Sequence, residues 1–207
     1  MKKYLLALVA AVSLFSVQSE AMEFREGVHY EVISSTATSS PEIIDFFSFY
    51  CNACYQFRPF SQMLEDEFPD AFKAYQVDFI APRNMGEVIV RSWAVAQILG
   101  VEKEVKDRIF HQHFVRRQNS NSLNEIKAIF EQAGVEGSRF DQAYGSFPAR
   151  SLSNRMRSSA SEFNVRGTPT YIVNGKYRMM QQGFRDSGSD FFEHYLALAR
   201  YLLNKDA

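Results

Sequence analysis

The sequence predicts an α/β fold in which a small sheet is interrupted by an all-helical insertion. Three observations predict it. A strand, a helix and a second strand follow one another between residues 43 and 80. Only helical periodicity appears from Gly86 to Ala143. Sheet patterning then returns around the pair Asn174-Gly175. A β-α-β unit with a right-handed crossover makes its two strands parallel, and a late hairpin adds antiparallel ones.

The chain opens Met1-Lys2-Lys3-Tyr4, stays apolar from Leu5 to Val17 apart from serines, and reaches Ser19-Glu20-Ala21. A positive start, a short apolar core and small residues at the −3 and −1 positions predict a secretory signal peptide, residues 1–21, cut after Ala21. The apolar run falls short of the roughly 20 residues a spanning helix needs. The expected product is a soluble, exported chain in an oxidising compartment. An apolar fraction of 46% with 19 Phe is enough for a well-buried core. A net charge of −1 and the absence of a long basic run give no reason to expect nucleic acid or an anionic membrane as partner.

Loose alternation at Val28, Tyr30 and Val32 predicts a first, edge strand. The run Ile43-Ile44-Asp45-Phe46-Phe47-Ser48-Phe49 is apolar on both faces and belongs at the centre of a sheet covered by helices. Tyr55 to Phe68 carries Phe57, Phe60, Met63, Leu64 and Phe68 at helical spacing, with Pro59 inside to kink the helix and Pro69 to end it. Phe72 to Ile80 reads as the next strand. Helices follow over about Glu87–Leu99, stopped at Gly100, and over about Glu102–Arg117. The Ser122-x-x-Glu125 capping box opens another that ends at Gly134. A short helix near Ser138–Tyr144 and a long one from Phe147 to Phe163 lead back to the sheet. Thr170–Val173 and Lys176–Met180 flank Asn174-Gly175 as a hairpin, and Asp186–Leu203 closes the chain as an amphipathic helix. Residues 22–83 and 156–207 are thus expected to form the sheet domain, and 84–155 the helical insertion.

Chemistry concentrates where the first central strand hands over to its helix. Cys51 and Cys54 are the only cysteines, at Cys-x-x-Cys spacing around Asn52 and Ala53. At a helix start the Cys51 sulfur faces backbone N–H groups without helical partners, and those favour the thiolate. The helix end alone supplies up to about 2 kcal/mol, roughly one pKa unit. A larger shift requires direct N–H···S bonds or a nearby cation. Cys54, one turn on, is expected to be the shielded partner. Two blander readings stand beside a redox-active dithiol. A structural disulfide closes so short a loop that it removes little chain entropy. Half of a zinc site would need ligands that the scattered His29, His111, His113 and His194 do not offer in motif spacing.

Two further positions stand out. Asp45 inside an apolar strand either caps or faces solvent, or is a buried carboxylate that relays the proton of Cys54; burial without a partner would raise its pKa. The Thr168–Pro169 pair either opens a strand or forms a cis bond that holds the Thr168 backbone against the cysteines, open to an extended peptide.

With Phe46-Phe47-Ser48-Phe49, Cys54-Tyr55-Gln56-Phe57, Trp93-Ala94-Val95-Ala96 and Val173-Asn174-Gly175-Lys176-Tyr177 in place, the chain resembles the DsbA family of bacterial periplasmic disulfide oxidoreductases over its whole mature length. The resemblance implies a thioredoxin-like fold with an inserted all-helical domain. It also implies an enzyme that donates its Cys51–Cys54 disulfide to reduced, unfolded exported proteins, and that is reoxidised by a membrane quinone-linked partner of the DsbB type. No cofactor beyond the redox-active disulfide is implied. Catalysis falls to Cys51, Cys54 and Asp45, and substrate binding to Thr168, Pro169 and a groove near Gln181, Gln182, Gly183 and Phe184. Asn52-Ala53 stands where the family commonly has Pro-His, so no histidine between the cysteines assists the thiolate. Thr168 stands where close relatives usually have Val, and is similar to the disulfide isomerases of the superfamily. Arg58, where the family often has an acid, lies two helical turns from Cys51, about 10 Å, near the Debye length, so a small effect is expected. The alternatives are a reductase or isomerase, a glutathione transferase of the related kind, against which the signal peptide and Cys54 argue, and a peptide-binding holdase without redox turnover. No residues remain for a dimerisation domain, so a monomer is expected.

Overall fold

The structure, a computed structural model, describes residues 22–206; the predicted signal peptide lies outside the described residues. Five strands form one sheet in the order β1-β5-β4-β2-β3. They are β1 (Tyr30–Val32), β2 (Ile43–Phe47), β3 (Phe72–Gln76), β4 (Thr170–Val173) and β5 (Tyr177–Met179). β2 is parallel to β3 and antiparallel to β4, so the run that is apolar on both faces sits inside the sheet, as its composition requires. Its five residues are all buried, Asp45 included. β1 lies at the edge, paired only with β5. The hairpin turns at Asn174 (φ 51°) and Gly175 (φ 61°), the paired left-handed conformation that an Asn-Gly turn supplies.

The helix after the cysteines is broken in two, α1 (Asn52–Gln56) and α2 (Arg58–Glu67), with Pro59 in the first turn of the second, where its missing donor is not needed. β3 ends four residues before the sequence pattern does, and Phe79, counted toward that strand, is exposed. Between β3 and β4 the chain is helical: α3 (Gly86–Leu99), α4 (Glu102–Phe110), α5 (Leu123–Gln132), α6 (Gly137–Gly145) and α7 (Phe147–Glu162). Gly100 terminates α3 in the left-handed conformation (φ 66°). The helix predicted over Glu102–Arg117 does not run through; α4 gives way to a π-helical turn, His111–Val115. At α5 the Ser122 hydroxyl accepts from the Glu125 N–H, but the Glu125 carboxylate accepts from Asn121 N–H, one residue before the box predicts. The last helix, α8 (Phe191–Asn204), starts at Phe191 and not at the predicted Asp186, after a short 3-10 turn.

Two apolar clusters form the core. One gathers Phe46, Phe47, Phe49 and Trp93 with the helical insertion. The other gathers Phe60, Tyr171, Tyr195 and Leu198 beneath α2 and α8. The cysteine turn follows the end of β2, with Cys54 in the first cluster and Cys51 packed against it.

Candidate active site

The register of the sheet builds the site. Phe46 lies opposite Thr170 across β2 and β4, so continuing forward on one strand and backward on the other brings Cys51 against Thr168. The Thr168–Pro169 bond is cis. The Thr168 carbonyl lies 3.3 Å from Cys51 Sγ, within reach of its S–H. Cys51 is the N-cap of α1, and its sulfur accepts the Cys54 N–H at 3.2 Å. The two sulfurs are not bonded to each other.

The sulfurs differ sharply in setting. Cys54 is 4% exposed and Cys51 is half-buried. Cys51 is lowered to about 6, chiefly by a hydrogen bond from the Cys54 thiol, with further help from the Cys54 and Ala53 backbone N–H groups. The shift exceeds what a helix end alone supplies, and hydrogen bonding is the source, as the one-unit limit on the dipole requires. Arg58 does not act here. Its guanidinium lies 4.4 Å over the Tyr55 ring, donates Nε to the Tyr55 carbonyl at 3.2 Å, and pairs with Asp107 at 3.4 Å. Cys54 is raised, first by burial and then by its contact with Cys51, so it holds its proton while Cys51 gives one up.

Asp45 is 3% exposed and neither caps nor faces solvent. It is not without a partner, contrary to the expectation: one carboxyl oxygen accepts the Ser61 hydroxyl at 2.6 Å, and that hydroxyl also meets Tyr171 Oη at 3.2 Å. The other oxygen, Oδ1, has no partner among the described residues. Burial pushes the carboxyl up to about 6 against the opposing pull of Ser61 and Lys106. Asp45 and Cys54 share a cavity of about 10 Å³ with Ser61, Lys106 and Pro169, the volume of one water-sized probe.

A second polar cluster faces the turn from the helical side, and it is not among the positions singled out from the sequence. His113, in the π-helical turn, is 4% exposed. Its Nε2 accepts the Ser120 N–H at 3.0 Å, which leaves Nδ1 to carry the proton and donate to the Phe49 carbonyl at 2.8 Å. The imidazole is thereby fixed as one neutral tautomer. The Tyr50 ring stacks on it at 4.7 Å, and the Tyr50 hydroxyl donates to the Ser120 carbonyl at 2.8 Å. Gln76, fully buried at the end of β3, accepts the Phe49 N–H at 3.0 Å. The backbone leading into Cys51 is held from both sides. Periodicity presents His113 as one more polar residue of a helix; its position inside an expected straight helix, at the π turn, is the only local hint.

The groove expectation divides. Gln181 and Gln182 line an open cleft of about 470 Å³ with Gln56, Phe57, Arg185, Phe191 and Phe192. Phe184 does not line it: it is 2% exposed and packs on His29 and Tyr195. Gly183 also faces inward, since a Cβ there would stand 2.6 Å from the Val28 carbonyl oxygen. The resemblance that implied the groove did not separate its wall from the core behind it.

The chain matches the DSBA-like thioredoxin domain over residues 59–197. It is 37% identical over 211 residues to the thiol:disulfide interchange protein DsbA of Haemophilus influenzae, covering 99% of this chain and 100% of the relative. Among solved structures it resembles the disulfide oxidoreductase DsbA from Proteus mirabilis, with a TM-score of 0.79, 31% identity, and coverage of 87% of this chain and 97% of that one. Proteus mirabilis DsbA with a non-covalently bound peptide is similar too, with a TM-score of 0.76, 30% identity, and coverage of 89% and 98%. Sheet order, helical insertion and full-length identity agree, and the chain belongs to the DSBA-like thioredoxin family.

Proposed function

We propose that this protein is a thiol:disulfide oxidoreductase working in the oxidising direction on reduced, unfolded polypeptides exported to the periplasm. The observation that carries the reading is the contrast between the two sulfurs: Cys51 is favoured as a thiolate with a pKa of about 6, and Cys54 is buried and held as a thiol. A disulfide whose reduced form is stabilised in this way is readily given away. A substrate thiolate attacks Cys51 Sγ of the Cys51–Cys54 disulfide; the S–S bond breaks, a mixed disulfide forms, and Cys54 leaves and takes up a proton. Asp45 supplies that proton through the small cavity the two groups share. A second substrate thiolate then attacks the substrate sulfur, and Cys51 leaves as the stabilised thiolate. The substrate has lost two electrons and the enzyme has gained them. A membrane quinone-linked partner of the DsbB type removes them, with no cofactor beyond the two sulfurs. Thr168 and cis-Pro169 support the substrate backbone beside Cys51, and the cleft bounded by Gln182, Phe57 and Phe191 takes its apolar side chains. The chain acts as a monomer, and residues 1–21 direct its export.

A glutathione redox titration read beside the pH dependence of alkylation tests the direction. The expected result is a couple more oxidising than glutathione and an alkylation midpoint near pH 6. Thr168 before the cis-proline, shared with isomerases, supports the second reading, an isomerase or reductase. A couple in which the bridged form is the favoured one against glutathione would replace the first reading with it.

A further inference from the structure

Beside the cysteine turn, on the side of the helical insertion, lies an open cleft of about 450 Å³. Its apolar surface comes from Tyr55, Val115 and Ile129, and its rim carries Arg58, Arg108 and Arg116 with a single carboxylate, Asp107. Asp107 is already engaged, 3.4 Å from Arg58 and 3.9 Å from Lys103. Arg108 and Arg116 have no hydrogen-bond or ion-pair partner among the described residues. The size suits a ligand site, and an apolar floor under unpaired, forked cations suits carboxylates on a flexible chain.

We propose that this cleft is an accessory subsite for an acidic segment of the polypeptide being oxidised, a reading that rests on the oxidative function proposed above. Location supports it. Tyr55 follows Cys54 directly in the chain and forms one wall of the cleft. It stands four positions after Cys51, about 6 Å along the axis, and an extended substrate covers that span in about two residues. Acidic side chains a few positions from the reacting cysteine therefore reach Arg108 and Arg116 while the cysteine meets Cys51. The cleft around Phe57 and Phe191 on the opposite side of α1 is aromatic and offers such a segment only Arg185. The two clefts divide the substrate by chemistry, apolar residues to one side and carboxylates to the other.

The test compares two cysteine peptides that differ only in carrying a run of glutamates or of isosteric glutamines on either side of the cysteine. Rim charge pairs contribute about 0.2–1 kcal/mol each. Two of them predict a preference in kcat/KM for the glutamate peptide of about two- to thirtyfold. In Arg108→Gln/Arg116→Gln the ratio is expected to fall to about one. In Arg117→Gln/Arg139→Gln, which removes equal charge from residues outside the cleft, the preference is expected to persist. Equal loss in both double variants would assign the preference to the general field of the helix and overturn the subsite. Oxidation of both wild-type peptides at one rate would overturn the subsite and leave the oxidative function standing. Oxidation of neither would remove that function, and the subsite with it.

Discussion

On the sheet side of the cysteine turn the buried polar group is a carboxyl with one oxygen bonded to Ser61 and the other unpartnered among the described residues. On the helical side it is an imidazole with both nitrogens engaged, one by Ser120 and one by Phe49. Both groups are buried and both titrate away from their ordinary values, but in ways that respond oppositely to acid. Asp45 is raised, so it is folded preferentially as the neutral acid; its burden is absent at low pH and grows as pH rises through about 6. His113 is lowered, by burial before all else, so it is folded preferentially as the neutral base; its contribution is full above 6.5 and is lost as pH falls through its folded value. Acidification relieves one wall and strains the other. A fully satisfied network fixes a backbone, whereas a partly satisfied acid keeps a proton to give.

The comparison breaks most completely if the sulfur between the walls is removed. Cys51→Ser is expected to abolish oxidation of a reduced peptide, and Cys54→Ser to accumulate mixed disulfides, as followed by mass spectrometry. Equal activity in both would refute the division of roles.

Asp45→Asn comes next. A rise from 3.8 to about 6 corresponds to roughly 3 kcal/mol at about 1.36 kcal/mol per pKa unit. The variant is expected to be more stable than the parent at pH 7 by up to that amount, with the gain vanishing below about pH 4 where the parent's acid is neutral too. Turnover should fall at the same time, because the proton for Cys54 is gone. Stopped-flow exchange rates and denaturant melts across pH separate the effects; unchanged exchange with increased stability would make Asp45 a buried acid and no relay.

His113→Phe tests the other wall. It leaves the Ser120 N–H and the Phe49 carbonyl without their partner. Each unsatisfied buried group costs about 1–3 kcal/mol, so a loss of about 2–6 kcal/mol at pH 7 is expected, shrinking toward acid as the parent's own histidine begins to titrate. A loss independent of pH between 5 and 7 would mean that packing, not the neutral imidazole, holds the turn.

The same comparison explains what could be read from the chain unaided. Pro59, Gly100, Asn174-Gly175 and the Thr168–Pro169 pair act through their own backbone geometry, so local rules found them. Asp45 was conspicuous because a charge inside an apolar strand violates a pattern. His113 and Gln76 violate none: they act across 64 and 27 residues on Phe49, and periodicity carries no information about partners that distant. Lys106, the cation that lowers the Asp45 carboxyl, is hidden for the same reason, as one lysine on a charged helix. Phe184 failed in the other direction, since an aromatic near a groove and an aromatic in the core read alike.

The smallest change sharpens the comparison most finely. Tyr50→Phe removes the hydroxyl that donates to the Ser120 carbonyl at 2.8 Å and leaves the ring that stacks on His113 at 4.7 Å. If the helical wall is a set of independent bonds, the loss is that of one neutral hydrogen bond, about 1 kcal/mol, and exchange rates stay close to the parent's. If Ser120 must be held by Tyr50 before its N–H can fix the His113 tautomer, the loss exceeds that of one bond, and the double variant with His113→Phe is less damaging than the two single losses combined. A double-mutant cycle measured by denaturant unfolding at pH 7 decides between them. Coupling of more than about 0.5 kcal/mol is expected, because both groups grip the same residue, one at its N–H and the other at its carbonyl.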